Sequence, residues 1–308
     1  MRQFQQKLMQ VIPGAVLIAL ALSCTRLETP NQGSGDLPAY DRAGFAITVP
    51  AEVNRIVSMA PAITFTLIDL GLGDSIIAMD NHSALYLGTA KDIPVFDMLM
   101  PDAEKIASIK PDIILASDMS MMGNAANDPF ALLKKLGICV AYIPSSKNIA
   151  GIREDLLFIA GITGKTAEGE ILAAEMDREL AEIAALINGR ASGKRVYFEI
   201  SALPFMYSFG TGVYQHEMIE AAGGENIFSS YKSWIPVEAE SVVSANPDVI
   251  FTSVDYIDDP VGEILSRPGW KDINAIKNRR VYFLEPALSS LPNHYVIKGI
   301  RAMMECLN

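Results

Sequence analysis

Apolar residues recur three and four apart through the middle of the chain, from Asn148 to about Asn188. Glu154, Leu156, Leu157, Ile159 and Ala160 begin the pattern, and Ala167, Ile171, Leu172, Met176, Leu180, Ile183 and Leu186 continue it. This is the signature of an amphipathic helix. Gly161 and Gly164 interrupt it and predict a bend or a short corner. Forty residues of unbroken helix would reach about 60 Å, longer than one small domain is wide, so the stretch is expected to act as a spine between two lobes.

The flanks carry a shorter rhythm. Ala46–Val49, Arg55–Met59, Ser75–Met79, Asp112–Ala116 and Cys139–Ile143 are apolar runs of strand length, with helical runs at Pro61–Leu70, Asp102–Ser108 and Phe130–Leu136 between them. Beyond the spine the scheme repeats. Strands are expected at Arg195–Ile200, Asp248–Ser253 and Arg280–Leu284, and helices at Gln215–Ala222, Val237–Ala245, Pro260–Leu265 and Tyr295–Leu307. Alternating strands and helices predict an α/β fold, with parallel sheets covered on both faces. Ligands of such sheets bind beyond the carboxyl ends of the strands. Those ends are the segments Asp80–Thr89, Phe96–Pro101, Ser117–Asn127, Ser201–Tyr214, Ser253–Asp259 and Glu285–His294, which two lobes would turn toward each other across a cleft.

Two echoes relate the lobes. Six residues separate Glu104 from Pro111-Asp112-Ile113-Ile114, and six separate Glu240 from Pro247-Asp248-Val249-Ile250. Ile68 to Ile76 parallels Ile219 to Ile227, each running through a glycine pair or near-pair. The offsets of the two echoes differ, so the lobes are related without being copies. The expected organisation is a signal peptide over 1–23, a lipidated Cys24 and flexible tether over 24–45, an N-terminal lobe over 46–147, the connecting helix over 148–190 and a C-terminal lobe over 191–308.

Composition narrows the partners. The chain has 308 residues, half of them hydrophobic, enough for two cored lobes. Its net charge of −11 and lack of any Lys/Arg run argue against nucleic acid as a partner. Arg2 and Lys7 followed by the apolar Val11–Leu22 form a leader. Ala21-Leu22-Ser23-Cys24 looks like a bacterial lipobox, with Leu22 one place later than usual. Cleavage before Cys24 with acylation of its thiol is the expectation, and an ordinary leader with an incidental cysteine the alternative. Cys139 lies in an apolar run and reads as core; Cys139 and Cys306 form no metal-spacing motif.

Arg55-Ile-Val-Ser-Met-Ala-Pro61, Leu70-Gly-Leu-Gly-Asp74, Glu104 with Lys110-Pro-Asp112, Gly210-Thr-Gly212, Gly223-Gly-Glu-Asn-Ile227, Glu240 with Pro247-Asp248, and Pro268-Gly-Trp270 with Arg280-Val-Tyr282 occur in this order. Together they resemble the substrate-binding proteins of ABC importers for iron-siderophores, haem and cobalamin. The resemblance covers Arg55 to the C-terminus. It implies two Rossmann-like lobes with parallel sheets, a long backbone α-helix joining them, and a cleft between them. It implies no enzyme activity and no intrinsic cofactor. The implied cargo is a small-molecule metal chelate: a ferric siderophore or haem first, with cobalamin or another corrinoid, a metal ion or an oxyanion as alternatives. The implied partners are an ABC permease dimer with its ATPase subunits and, through the lipid anchor, a bacterial membrane. The protein would be exported and face the periplasm or the cell exterior.

The resemblance also implies roles. One glutamate per lobe docks on permease arginines, here Glu104 and Glu240; without it each is a solvated helix-terminus charge. His82, His216 and His294 are the histidines of the chain. His82, near Tyr86, and His294 fall in expected cleft loops and are expected to face the ligand, with a metal contact only through a bound chelate. His216 reads equally as cleft ligand or as surface and capping residue. Tyr207, Tyr214, Trp234 and Tyr256 are candidate flat walls. Trp234 lies six residues before Glu240, where cobalamin receptors carry a cleft tryptophan; Met98 stands at the corresponding place before Glu104. Met98 and Met100 are further ligand candidates, and Met100 with Tyr256 would suit a haem pair. Adaptable packing is the alternative for the methionines. An enzyme reading finds little support. His216-Glu-Met-Ile-Glu220 ends in Glu where a zinc-protease motif has His, and no phosphate-binding glycine loop or Gly-x-Ser-x-Gly elbow occurs.

Overall fold

The computed structural model describes residues 37–88, 93–122, 128–187 and 193–308. The leader, Cys24 and the first part of the tether lie outside the described residues. Among the described residues no helix is long and apolar enough to cross a membrane.

The first lobe runs β1 (Ile56–Met59), α1 (Pro61–Asp69), β2 (Ile76–Asp80), α2 (Asn81–Leu87), β3 (Val95–Phe96), α3 (Ala103–Ser108), β4 (Ile113–Ala116), α4 (Met119–Met122), α5 (Ala131–Lys135) and β5 (Cys139–Tyr142). Its strands form one sheet in the order β3-β2-β1-β4-β5, every pair parallel. Strands β1, β4 and β5 are buried at every position, as a sheet covered on both faces requires. Cys139 is buried in β5.

Two helices follow, α6 (Ile149–Ile162) and α7 (Thr166–Ile187). The bend at Gly161–Gly164 is a full reversal. Arg153 Nε donates to Asp177 Oδ1 at 3.0 Å, and a Cβ on Gly169 would fall 2.3 Å from that of Ala160. Residues whose numbers rise along α6 meet residues whose numbers fall along α7, so the pair is antiparallel. Glycine at 169 lets the helices touch. The spine is therefore a hairpin whose longer arm, at 22 residues, spans about 33 Å. The Asn148 side chain caps α6 by accepting from Gly151 N–H at 2.7 Å.

The second lobe runs β6 (Arg195–Glu199), β7 (Tyr207–Phe209), α8 (Tyr214–Ala221), β8 (Glu225–Asn226), β9 (Trp234–Pro236), α9 (Ala239–Ala245), β10 (Val249–Thr252), α10 (Pro260–Leu265), α11 (Asn274–Lys277), β11 (Val281–Phe283), α12 (Pro286–Ser289) and α13 (Val296–Leu307). Its parallel sheet has the order β11-β10-β6-β8, and β7 pairs antiparallel with β9 beside it.

The sequence echoes map onto equivalent joints. Asp112 Oδ2 accepts from Asn54 and Arg55 N–H, clipping the entry to β1; Asp248 Oδ2 accepts from Arg195 N–H, clipping the entry to β6. Lys110 and Asn246, each just before the proline, share a left-handed backbone with φ of 48° and 46°. Strand β1 thus corresponds to β6, β2 to β8 and β4 to β10. The rise into each left-handed corner follows a short helix, α3 or α9, and the first turns of these carry Glu104 and Glu240, both exposed.

One apolar core crosses the molecule. It runs from Ile56, Ile113 and Leu115 through Leu156, Ile159, Met176 and Ile183 to Val196, Phe251, Ile300 and Met303. Each lobe adds a second core on the far face of its sheet, around Phe130 and Tyr142 in one and around Tyr197 and Trp270 in the other. In the second, Arg267 is sealed in beside Glu199. Its Nη1 and Nη2 donate to Glu199 at 2.5 and 2.9 Å, its Nε donates to both Glu263 oxygens at 2.9 and 3.0 Å, and its guanidinium lies 4.6 Å from the Trp270 ring centre.

Three expectations change. Ala46–Val49 forms no strand; Ala46 makes a single antiparallel bridge to Tyr40. The segment after Asp80 is a helix rather than a loop. Asp80 Oδ1 accepts from His82 and Ser83 N–H, both at 2.9 Å, and so starts α2. The tether does not extend to residue 45. Asp41 is buried and accepts from Ala43, Phe45 and Tyr142 N–H, and Arg42 N–H donates to Tyr142 O. The Arg42 guanidinium then reaches α6, bonding Asp155 at 2.6 Å and Glu154 at 2.9 Å.

Candidate ligand cleft

A cavity of about 280 Å³ opens at the carboxyl ends of the first-lobe strands. The turn into α1 brings Ala60–Ile63, α2 brings His82 and Tyr86, the segment after β3 brings Met98, and the ends of β4 and β5 bring Ser117 and Ile143–Ser145. Helix α6 supplies the back wall with Ile152, Asp155, Leu156 and Ile159. The second lobe closes the cavity with Ser290–His294, the link from α12 to α13.

A buried polar ladder stands under the α2 side. Ser58 and Thr64 hydroxyls lie 2.7 Å apart, Thr64 and Ser83 2.8 Å apart, and Ser83 Oγ bonds Asp80 Oδ2. Burial pushes the Asp80 carboxyl up, against the hydrogen bonds from Ser83 and His82 that pull it down. The ladder pins the helix start that aims His82 and Tyr86.

Residues of the cavity wall carry buried polar atoms that the protein leaves unmatched. Among the described residues, four buried side-chain polar atoms lack a hydrogen-bond partner: Ser117 Oγ, Gln215 Oε1, Asn293 Nδ2 and His294 Nδ1. Three of the four belong to residues that line this cavity. Folded proteins rarely leave such atoms unpaired, and their concentration on the walls of one cavity makes it the candidate binding site.

The electrostatics are acidic. Among the described residues, no Lys or Arg lines the cavity, whereas Asp155 does. Burial raises the Asp155 carboxyl, while Ser146 and Arg42 hold it down. Burial also raises the Tyr86 phenol, and the negative charges of Asp255 and Glu285 in the second lobe push it further in the same direction. Both of these carboxylates therefore act on the Tyr86 side of the cleft.

The sequence candidates divide into three groups. His82, Tyr86, Met98 and His294 line the cavity. Met100, Tyr207, Trp234 and Tyr256 stand outside its lining with exposures of 83%, 44%, 46% and 64%. Of these, Tyr256 Oη accepts from Ala202 N–H at 2.9 Å, and Trp234 meets the Phe209 ring edge-on at 5.9 Å. Two placements correct the expectation. Tyr214 begins α8 but points into the core, 4% exposed, its hydroxyl donating to Ser289 O at 3.4 Å. His216 is buried in the second lobe, its Nδ1 3.4 Å from Asn226 Nδ2 and its Nε2 3.3 Å from Glu220 Oε1. The three histidines do not converge, and the described residues contain no cluster of three or more His, Cys, Asp or Glu able to hold a metal ion. Ser117, Asp155 and Asn293 escaped the sequence reading. Ser117 and Asn293 did lie in strand-end segments, the one available signal; Asp155 had none, since a carboxylate on a helix usually faces water.

A family description of periplasmic binding proteins matches residues 56–288. The chain belongs to the periplasmic binding protein family. An ABC transporter substrate-binding lipoprotein of Bacillus subtilis is 28% identical over 269 residues, covering 87% of this chain and 84% of that protein. A vitamin B12-binding protein of Yersinia pestis is 30% identical over 210 residues, covering 67% and 72%. The fold is shared with the periplasmic haem-binding protein RhuT of Roseiflexus, at a TM-score of 0.71 and 22% identity over 83% of this chain and 98% of that one. It is shared also with the vitamin B12-binding protein BtuF of Vibrio cholerae, at 0.66 and 23% over 84% and 98%. This is a transport family of substrate-binding proteins, not of enzymes.

Proposed function

We propose that this protein is the cargo receptor of an ABC importer and that its cargo is a bulky, corrinoid-type chelate. The observation that carries the reading is a cavity whose lining residues include three with unmatched polar atoms, with acidic groups around it and, among the described residues, no cationic side chain in its lining. Haem carries two carboxylates and many ferric siderophores are anionic, so an arginine or lysine clamp would be expected for either. A corrinoid presents carboxamides, which pair with hydroxyl, amide and imidazole groups without needing a countercharge. Relatives named as cobalamin- and vitamin B12-binding proteins, at 29–30% identity, point the same way. The iron-complex reading keeps one support: His82, Tyr86 and Met98 all line the cavity, and these are side-chain types that ligate haem iron.

Visible absorption separates the two. The protein is mixed in turn with cyanocobalamin, haemin and ferric siderophores, desalted and scanned. Retained cyanocobalamin supports the corrinoid reading; retention of haemin or a siderophore alone overturns it in favour of an iron complex.

Delivery follows from Glu104 and Glu240. They occupy equivalent first turns of α3 and α9, one per lobe, and suit a permease with a matching pair of arginines. Exposed Trp234, Tyr207 and Tyr256 supply apolar area on the second lobe for a large ligand. The protein is exported and held to a bacterial membrane by lipid on Cys24, as the named lipoprotein relative favours. Lobe motion is small, because one core runs through both lobes and the helical hairpin.

A further inference from the structure

His294 does more than line the cavity. Its Nε2 lies 2.7 Å from Asp69 Oδ2, at the last residue of α1 in the opposite lobe. The side chain is 9% exposed, and its Nδ1 is buried without a partner. A charged imidazolium would carry a second N–H on Nδ1 and bury it with no acceptor. The neutral ring with its proton on Nε2, donating to the carboxylate, avoids that cost. Asp69 also accepts from the Tyr295 hydroxyl, and the Tyr295 ring packs 5.7 Å from Phe65 of α1. Lys298 Nζ lies over the Tyr295 ring, 4.0 Å from its centre. Behind the ring is a second, smaller cavity of about 190 Å³ that shares His294 and is lined by Asp69, Glu175 and Glu179. His294 is thus a partition between two cavities, held from across the lobe boundary by one carboxylate.

We propose that Asp69 is a positioning residue of the cargo site: it fixes the ring and the tautomer of His294 and ties the two lobes together where Ser290–His294 closes the cavity. The link to cargo rests on the corrinoid reading above; the assignment of tautomer and tie does not. Burial is the main influence on His294 and lowers its pKa. The facing groups are Asp69 from α1, Glu175 from α7, and Tyr295 and Lys298 beside the ring and on α13.

The chain has three histidines, so isotope-labelled histidine gives three resolvable ring signals by nitrogen NMR, assigned with His294→Gln. Near neutral pH the His294 signal is expected to be neutral with the proton on Nε2. Asp69→Ala should mix the tautomers and weaken cyanocobalamin binding about tenfold, the loss of one charge-assisted hydrogen bond. Asp69→Asn keeps an acceptor and should hold the Nε2 proton and bind within about twofold of the parent. A wild-type His294 that is charged, or protonated on Nδ1, overturns the assignment. So does Asp69→Ala that binds cyanocobalamin as tightly as the parent. If the parent retains no cyanocobalamin, the cargo reading fails by itself, and the tautomer of His294 in the parent and in Asp69→Asn decides the role of Asp69.

Discussion

Replacing Arg267 by Met tests how the second lobe holds its cleft edge. Glu199 is the last residue of β6, immediately before the segment that leads to β7, and its side chain is 1% exposed. Arg267 gives it two hydrogen bonds; Tyr197 Oη gives one more at 3.3 Å. Met fills most of the volume but strands the carboxylate, and breaking a buried pair on one side costs about 3–5 kcal/mol. Glu263 loses its partner as well, yet at 30% exposure it is solvated in part and adds little. Burial already pushes the Glu199 carboxyl up, with Arg267 the chief influence pulling it down, so the variant raises it further. A carboxyl whose folded pKa lies above its unfolded value contributes stability below the unfolded pKa and loses it as pH rises through the folded one. The variant should therefore be weakest at neutral pH and recover on acidification, by up to about 1.4 kcal/mol per pH unit. Urea denaturation at several pH values, parent beside variant, measures both the cost and the slope. Adding Glu199→Gln to Arg267→Met removes the stranded charge and should restore most of the loss. A cost under about 1 kcal/mol at neutral pH, or a difference that does not change with pH, would refute the reasoning.

Two more outcomes are expected. Glu104→Ala with Glu240→Ala should leave cargo affinity unchanged and abolish uptake in cells; unchanged uptake would remove the docking role. Gly210→Ala should destabilise the second lobe by about 1–3 kcal/mol in the same denaturation assay. A Cβ at 210 would sit 2.1 Å from Tyr231 O, a backbone atom that cannot turn aside, and Thr211 N–H already donates to that carbonyl. Stability equal to the parent's would show that the segment before Trp234 yields freely.

Much of the fold was written in short-range pattern. Runs such as Ile113–Ala116 and Val249–Thr252 are apolar throughout because both sheet faces are covered, and that needs no knowledge of the partner strand. The two Pro-Asp joints repeat because each lobe must turn through a left-handed corner and clip its first strand, a local demand on the backbone. The helix α2 was legible too, in Asp80 standing three residues before Ser83, although a strand-end loop was the reading there.

The sequence by itself determined the α/β class, the two related lobes, the helical middle and the strand-end segments from which the cleft is built. Periodicity and turn chemistry act over a few residues, and so they survive in one dimension. The tertiary structure alone decided that the spine folds back on itself, since the reversal rests on Gly169 meeting Ala160. It alone sent Tyr214 inward and paired His216 within its own lobe. It also brought Asp69 to His294 across 225 residues and Arg42 to Asp155 across 113. Those outcomes depend on which face of each element finds a neighbour, and no local pattern carries that information.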